Sequence, residues 1–163
     1  MTETLPDSAK AFQDVLKSKG IDARIVVFPQ SARTAKDAAA ALGCEVAQIA
    51  KSLIFRRTDT NEPVLVVASG SNRVDEQLVS TYLSAQIVKA DADFVRAATG
   101  FAIGGVPPLG HRSPIQTLVD ECLFQHDMVW AAAGTPNAVF SIIPKPLVEI
   151  TMGQVIAVSS PHQ

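Results

Sequence analysis

The sequence contains few cysteines and no long apolar run. Cys44 and Cys122 are the only cysteines among its 163 residues, a number that fits a reducing compartment better than a disulfide framework. The first residues, MTETLPDSAKAF, are too polar for a secretory signal, and no apolar run reaches the roughly 18 residues that a membrane span needs. We therefore expect a soluble, cytoplasmic protein that does not enter a membrane.

An excess of positive charge is also absent. The chain has 14 basic and 16 acidic residues, which gives a formal net charge of −2. Proteins that bind long duplexes usually carry a basic excess, because their cations displace the counterions of the phosphates. The composition therefore argues against broad duplex binding, while a small or locally basic surface could still bind one RNA end.

Sequence motifs of several common enzyme classes are missing. There is no G-x-S-x-G serine elbow, no phosphate-binding G-x-x-x-x-G-K-S/T loop, and no G-x-G-x-x-G after a strand. Cys122 and His126 are four residues apart, but zinc needs at least one further protein ligand. We expect no metal and no cofactor, and we rank a cysteine or metal hydrolase below the other functions.

Composition and pattern predict one α+β domain over residues 1–163. With 47% hydrophobic and 18% charged residues, a chain of this length can bury a core without disulfides. The irregular alternation of helices and strands favours a mixed sheet, and a polar turn at 58–62 predicts a hairpin. Helices are predicted at 7–19, between Thr34 and Gly43, and at 74–84, 91–98 and 146–152, and strands at 21–28, 51–57, 63–68, 117–119, 128–132 and 138–143.

Lys51 is the first residue that suggests chemistry. On a strand over 51–57 it shares a face with Leu53 and Phe55. A lysine on an apolar face is costly unless its ammonium reaches a cleft or an anion. The alternative is that Lys51 flanks the strand end and extends its ammonium into water, and spacing alone favours this alternative.

A segment rich in glycine and proline follows the fourth helix. Residues 104–110 read GGVPPLG; glycines let a backbone approach a ligand closely, and prolines fix its shape. Such a loop can orient a carbonyl or a water with its backbone groups, although taken alone it is better explained as a structural turn. His111, directly after the loop, could contact a substrate or be solvated.

Five dispersed arginines could likewise be solvated or gather as phosphate contacts at a cleft: Arg33, Arg56, Arg57, Arg73 and Arg112.

These features occur in a recognisable order. An alanine-rich helix, TAKDAAAALG, precedes the lysine of IAKSLIF; a G-x-x-x-P-x-G loop at Gly104, Pro108 and Gly110 follows, and then a late VWAAAG strand. This order resembles the YbaK/ProX family of aminoacyl-tRNA trans-editing domains, relatives of the insertion domain of bacterial prolyl-tRNA synthetase. The resemblance covers about residues 20–155.

The resemblance implies a mainly antiparallel, barrel-like mixed sheet wrapped by helices, and a deacylase that hydrolyses mischarged aminoacyl-tRNA, usually tRNA-Pro. Lys51 is expected to hold the terminal adenosine or phosphate at the acceptor end, and the backbone of the Gly104–Gly110 loop to position the aminoacyl carbonyl. The expected protein partners are prolyl-tRNA synthetase or an elongation factor. The expected catalytic residues are Lys51, Gly104, Pro108 and Gly110, and the expected substrate-binding residues are Ser52, Gly105, His111, Ala132 and Gly134.

The missing catalytic triad is compatible with this chemistry, because an aminoacyl ester is already activated and positioning beside a water or ribose hydroxyl can suffice.

Ala132 stands where cysteine-removing members have serine, and VVFP replaces the tyrosine or histidine often found near the first strand. Alanine, serine and threonine therefore remain open as the amino acid removed, and cysteine is in doubt. The main alternative is a binding module of the same fold, which holds a tRNA end or small ligand without turnover; the acidic net charge and the missing nucleophile favour it.

Overall fold

The computed structural model describes residues 5–29 and 34–159. The helices formed by these residues are α1 (Asp7–Ser18), α2 (Ala35–Leu42), α3 (Glu76–Leu83), α4 (Ala92–Thr99) and α5 (Pro144–Thr151). The strands are β1 (Ile25–Val27), β2 (Ile49–Arg57), β3 (Pro63–Ser69), β4 (Ile87–Lys89), β5 (Gln116–Asp120), β6 (Val129–Ala132), β7 (Ala138–Ile142) and β8 (Gln154–Ile156). Short 3-10 helices lie at Val46–Gln48 and Glu121–Gln125.

The described strands form one sheet in the order β1-β7-β6-β2-β3-β5-β8, and β4 pairs with β2. The antiparallel pairs are β1–β7, β2–β3, β2–β4 and β6–β7, and the parallel pairs are β2–β6, β3–β5 and β5–β8. The predicted α+β fold with a mixed, mainly antiparallel sheet is confirmed, as is the β2–β3 hairpin. The described sheet is open and not a closed barrel, because β1 and β8 lie at opposite ends of it.

Strand β2 is packed on both faces. Ile54 faces the larger core, in which the ring centroids of Phe12 and Phe140 lie 5.1 Å apart. Phe55 faces the smaller core together with Val79 of α3. Because successive side chains of a strand point to opposite faces, and burying each large apolar side chain stabilises the fold by about 1.5–3 kcal/mol, the side-chain directions along β2 are fixed.

Local sequence signals set the ends of helix α2, which borders the site. The Oγ1 of Thr34 accepts a hydrogen bond from the backbone N–H of Asp37 at 3.0 Å, which satisfies one of the free amides at a helix start. Gly43 ends the helix with a φ of +70°, a conformation that glycine adopts without steric cost. The helix therefore begins and ends where the sequence predicts.

Two short strands have no counterpart in the sequence-based prediction. β4 and β8 contain three residues each, and they exist because β2 and β5 offer them a pairing edge. A run of three residues is too short to show a period-two pattern. The residues after 152, where the sequence predicts no helix or strand, therefore contain β8. The strand predicted at 21–28 is limited to Ile25–Val27, where β7 pairs with it.

Among the described helices, none is long and apolar enough to cross a membrane.

Candidate active site

A cleft opens where β2 changes its strand partner. On one edge, β2 pairs with β3 along most of its length. On the other edge, Ile49 and Ala50 pair with β6, and residues 55–57 pair with β4. Residues 51–54 therefore have no described strand on this edge, where the N–H of Ala90 donates to the carbonyl of residue 54 at 3.3 Å. The backbone of this stretch is left facing a gap in the sheet.

Two adjoining cavities fill this gap, with volumes of about 370 and 530 Å³. We call the first the β4 lobe, because its wall includes Lys89 and Val95. We call the second the β6 lobe, because its wall includes Trp130 and Ala132. The two lobes share one wall and therefore form a single cleft. The shared wall consists of Lys51, Ser52, Leu53, Ile103, Gly104 and Val106.

Lys51 is half-buried in the wall that both lobes share. The pKa of its ammonium is lowered chiefly because burial removes water from the charge; the negative charge of Asp120 raises the pKa, and the positive charge of Arg73 lowers it. No carboxylate of the described residues lies within 4.0 Å of the ammonium. Lys51 therefore lines a cleft and does not extend from the strand end into open water.

The first end of the glycine-proline loop forms the wall beside Lys51. Gly104 has a φ of +90°, a conformation that favours glycine. A Cβ at Gly105 would lie 2.8 Å from the Cα of Thr135, so the loop packs this closely on the neighbouring turn only because residue 105 has no side chain. Gly104 and Val106 line the cleft, whereas Gly105 between them packs against the turn and is not part of the cleft wall.

The far end of the loop lies in different surroundings. Pro108, Gly110 and His111 line a third cavity of about 610 Å³, together with residues of α1 and α5. The Nε2 of His111 donates a hydrogen bond to the carbonyl of Pro107 at 2.7 Å. Burial lowers the pKa of His111, and this hydrogen bond partly offsets the effect. The structure therefore does not bring these three predicted site residues together with Lys51.

The two predicted residues of the late strand and turn also differ in position. Ala132 lines the β6 lobe. Gly134 has a φ of +99°, and a Cβ there would lie 2.8 Å from the carbonyl oxygen of Ser8. Gly134 therefore lets the turn after β6 pack against the start of α1, and it is not part of the cleft wall.

Ser52 carries a polar atom that the fold leaves unsatisfied. Its Oγ is buried and has no hydrogen-bond partner among the described residues. Leaving a buried hydroxyl unpaired costs about 1–3 kcal/mol. Because Ser52 lines both lobes, this unpaired hydroxyl belongs to the wall of the cleft.

The cleft is locally basic in a chain of net negative charge. Lys51, Arg73 and Lys89 line the β4 lobe, where Glu76 is the single acidic residue among those that the structure describes. Lys36 adds a positive charge to the β6 lobe. The sequence did not identify Lys89 or Glu76 as site residues. Lys89 belongs to β4, and the only local signal for this strand is the apolar pair Ile87-Val88 between two helices.

The other arginines considered as phosphate contacts lie elsewhere. Arg56 donates to the side chain of Asn61 at 3.2 Å, and Arg57 pairs with Asp59 at 2.9 Å, both at the β2–β3 turn. Arg112 lies beside Gly100. Arg33, the remaining arginine considered from the sequence, falls outside the described residues.

The structure does not favour metal or thiol chemistry in the cleft. The described residues contain no group of three or more His, Cys, Asp or Glu that could hold a metal ion. Both cysteines are free and neither lines the cleft, and burial raises the pKa of the Cys44 thiol, which disfavours the reactive thiolate. The described cleft wall offers lysine ammonium groups, one guanidinium, one carboxylate, hydroxyls, and backbone amides and carbonyls, which can bind and orient a substrate.

Similarity to known structures fits this geometry. A solved structure, described as a candidate trans-editing enzyme for prolyl tRNA synthetase, is 41% identical to this chain with a TM-score of 0.91. The match covers 96% of this chain and 99% of that one. The two proteins therefore share the fold over nearly their whole lengths.

Sequence comparisons identify relatives of this chain and the family to which it belongs. The protein YwhH of Bacillus subtilis (strain 168) is 29% identical over 131 residues, which are 80% of this chain and 83% of YwhH. The candidate Cys-tRNA(Pro)/Cys-tRNA(Cys) deacylase EbsC of Enterococcus faecalis (strain ATCC 700802 / V583) is 25% identical over 122 residues, or 74% of each protein. The sequence profile of the aminoacyl-tRNA editing domain matches residues 29–150, a range that includes Lys51 and the entire 104–110 loop. The chain therefore belongs to the aminoacyl-tRNA editing domain family.

Proposed function

We propose that residues 1–163 form one deacylase domain that hydrolyses the ester bond of mischarged aminoacyl-tRNA in trans. The proposed substrate is tRNA-Pro carrying alanine, serine, threonine or cysteine, and the proposed place of action is the cytoplasm, where tRNA is charged. One observation carries the proposal: half-buried Lys51 and the backbone at Gly104 line the same cleft.

The charges of the cleft suit the acceptor end of a tRNA. An RNA 3′ end is a short polyanion, and cations bind its phosphates without reading sequence. Lys51, Arg73 and Lys89 line one lobe, and the half-buried position of Lys51 strengthens its attraction to an anion because less water screens it. We therefore assign Lys51 to the terminal phosphate or adenosine, with Arg73 and Lys89 as further phosphate contacts.

The reaction needs positioning more than a strong nucleophile. Water adds to the carbonyl carbon, the bond from that carbon to the ribose oxygen breaks, the ribose oxygen takes up a proton, and the amino acid leaves. Backbone groups of residues 104–106 would orient the carbonyl, and the unpaired Oγ of Ser52 would supply a polar contact. Ala132 would contact the substrate in the β6 lobe.

The remaining expected site residues receive a different role. Pro108, Gly110, His111 and Gly134 lie away from the shared cleft wall, so we assign them to holding the loop and the neighbouring turn in shape. Prolyl-tRNA synthetase and an elongation factor stay as the proposed protein partners, because substrate delivered by either would pass directly to an editing domain.

A non-catalytic module that holds a tRNA end is the second candidate function. It is favoured by the cleft wall itself, in which the described residues include no histidine and no cysteine. This candidate predicts binding of the charged tRNA end without release of the amino acid.

Hydrolysis of tRNA-Pro charged with each of the four amino acids, and with proline as the correct substrate, tests the proposal. Lys51→Ala should slow release about 100-fold or more, the range seen when a positioned electrostatic contact is removed. Lys145→Ala is the matched control, since Lys145 is exposed on α5 outside the cleft, and it should stay within about twofold of the wild type. Release from none of the charged tRNAs would reject hydrolysis, and binding without release would establish the second candidate.

A further inference from the structure

Asp120 is a buried charged residue to which the proposed reaction gives no role. It ends β5 and is 1% exposed. The other fully buried polar side chains among the described residues are neutral: Ser69, Thr99 and Thr117. A buried carboxylate is costly unless hydrogen bonds and an opposite charge compensate for lost water, so Asp120 requires partners.

Neutral donors satisfy both of its oxygens. Oδ2 accepts from the backbone N–H of Ser69 at 3.0 Å and from Nδ2 of Asn72 at 2.9 Å, and Oδ1 accepts from the backbone N–H of Cys122 at 2.9 Å. Ser69 and Asn72 form the turn after β3, which a backbone hydrogen bond between them closes at 2.9 Å. The carboxylate therefore fixes the segment that leads directly to Arg73 in the cleft wall.

The sheet register places Asp120 in line with Lys51. Lys51 pairs with Ala68 across β2 and β3. On the other side of β3, Val67 pairs with Val119, and the next position in that register sets Ala68 beside Asp120. With strands about 4.8 Å apart, the backbones of Lys51 and Asp120 are roughly 10 Å apart. The small side chain of Ala68 is the only one between them in this row.

The charges around Lys51 act in opposite directions. Burial lowers the pKa of its ammonium, the Asp120 carboxylate raises it, and the Arg73 guanidinium lowers it. The other charged residues of the cleft wall are Glu76 and Lys89 in the β4 lobe and Lys36 in the β6 lobe. Asp120 differs from Glu76 because three hydrogen bonds hold its charge in one place.

We propose that Asp120 is a positioning residue of the cleft, whose carboxylate fixes the 69–72 turn and supplies the negative charge that balances the Lys51 ammonium. The use of Lys51 on a substrate rests on the proposed function, whereas the coupling of the two charges does not. In this arrangement, the Asp120 carboxylate favours the charged form of half-buried Lys51, and the turn holds Arg73 at the same lobe.

The test is an NMR titration of the Lys51 side chain in protein labelled with 13C-lysine, with the resonance assigned by Lys51→Arg. Asp120→Asn removes the charge and keeps the shape of the side chain. Asn72→Ala is the matched control, because it removes one hydrogen bond to the carboxylate and leaves the charge in place. Arg73→Gln changes an exposed residue and avoids the risk of unfolding the core.

We expect Asp120→Asn to lower the pKa of Lys51, Asn72→Ala to leave it near the wild-type value, and Arg73→Gln to raise it. In hydrolysis assays of Asp120→Asn, the alkaline loss of kcat/KM should begin at lower pH. The same loss should disappear when residue 51 is arginine in that variant, because a guanidinium stays charged.

An unchanged Lys51 pKa in Asp120→Asn would overturn the proposal and leave Asp120 a purely structural residue. If that variant does not fold, an unchanged Lys51 pKa in Arg73→Gln would overturn it, since the turn would then not hold Arg73 near Lys51. The titration needs no turnover. Absence of hydrolysis by the wild type would therefore reject the proposed function without deciding this test.

Discussion

At one end of the glycine-proline loop, Gly104 lines a cleft together with Lys51, whereas at the other end Gly110 packs against α1. Both glycines have a positive φ, +90° and +81°. Only the first end has a half-buried cation and an unpaired hydroxyl beside it; at the second end the polar ring of His111 is satisfied by a carbonyl of its own loop. The glycine-proline motif therefore predicts the conformation of the whole loop, whereas only the Gly104 end lies beside groups that could bind a substrate.

The largest difference between the two ends should come from Gly104→Ala and Gly110→Ala. A Cβ has room at both positions, 3.8 Å from Pro136 and 3.5 Å from Val15. Backbone strain should therefore lower the free energy of unfolding by about 1–2 kcal/mol in each variant. Hydrolysis should fall about 100-fold for Gly104→Ala, because the reacting carbonyl is misplaced, and change little for Gly110→Ala. Denaturant unfolding and kcat/KM measure the two effects, and equal losses of activity would contradict the assignment.

A smaller effect on hydrolysis should distinguish the Ser52 hydroxyl of the cleft from the Thr117 hydroxyl of the third cavity. Ser52→Ala removes an unpaired Oγ, so the free energy of unfolding should not fall, while release of the amino acid slows about fivefold to tenfold if the substrate uses the hydroxyl. Thr117→Val removes a hydrogen bond to the carbonyl of Ile115 at 3.0 Å, so stability should fall by about 1 kcal/mol with activity retained. Unfolding curves and hydrolysis rates of both variants provide the check, and the opposite pattern would reject this division.

The smallest effect concerns the pH dependence of stability at the far end. Burial lowers the pKa of His111 in the folded protein, so below its ordinary value of about 6.5 the unfolded chain binds more protons. Stability is therefore fully present above this value and falls as the pH falls toward the folded pKa. His111→Gln keeps a donor for the Pro107 carbonyl and does not titrate, so unfolding measured across pH should show a weaker acid loss. The same acid loss in both proteins would remove His111 as its cause.

Local signals made much of this fold predictable from sequence. The Thr34 hydroxyl and Gly43 define both ends of α2, and the polar turn at 58–62 defines the β2–β3 hairpin. The position of Lys51 on β2 follows from the same pattern. Each of these signals depends on residues that are near one another in the chain.

The cleft itself depends on contacts that no local pattern contains. The gap at residues 51–54 exists because β6 and β4, from distant parts of the chain, pair with the two ends of one edge of β2. Lys89 reaches the cleft through β4, and two of the three hydrogen-bond donors to Asp120 are 48 and 51 residues away along the chain. For the same reason, the sequence could not show that His111 and Lys51 line different cavities.

Binding of a stable substrate analogue would show which end of the loop contacts the aminoacyl end of the tRNA. Adenosine 5′-phosphate with alanine joined to its 3′ position by an amide instead of an ester can be titrated into 15N-labelled protein. We expect chemical-shift changes at the backbone amides of residues 51–53 and 104–106, with little change at Gly110 and His111. Changes confined to Gly110, His111 and the neighbouring α1 surface would contradict this expectation.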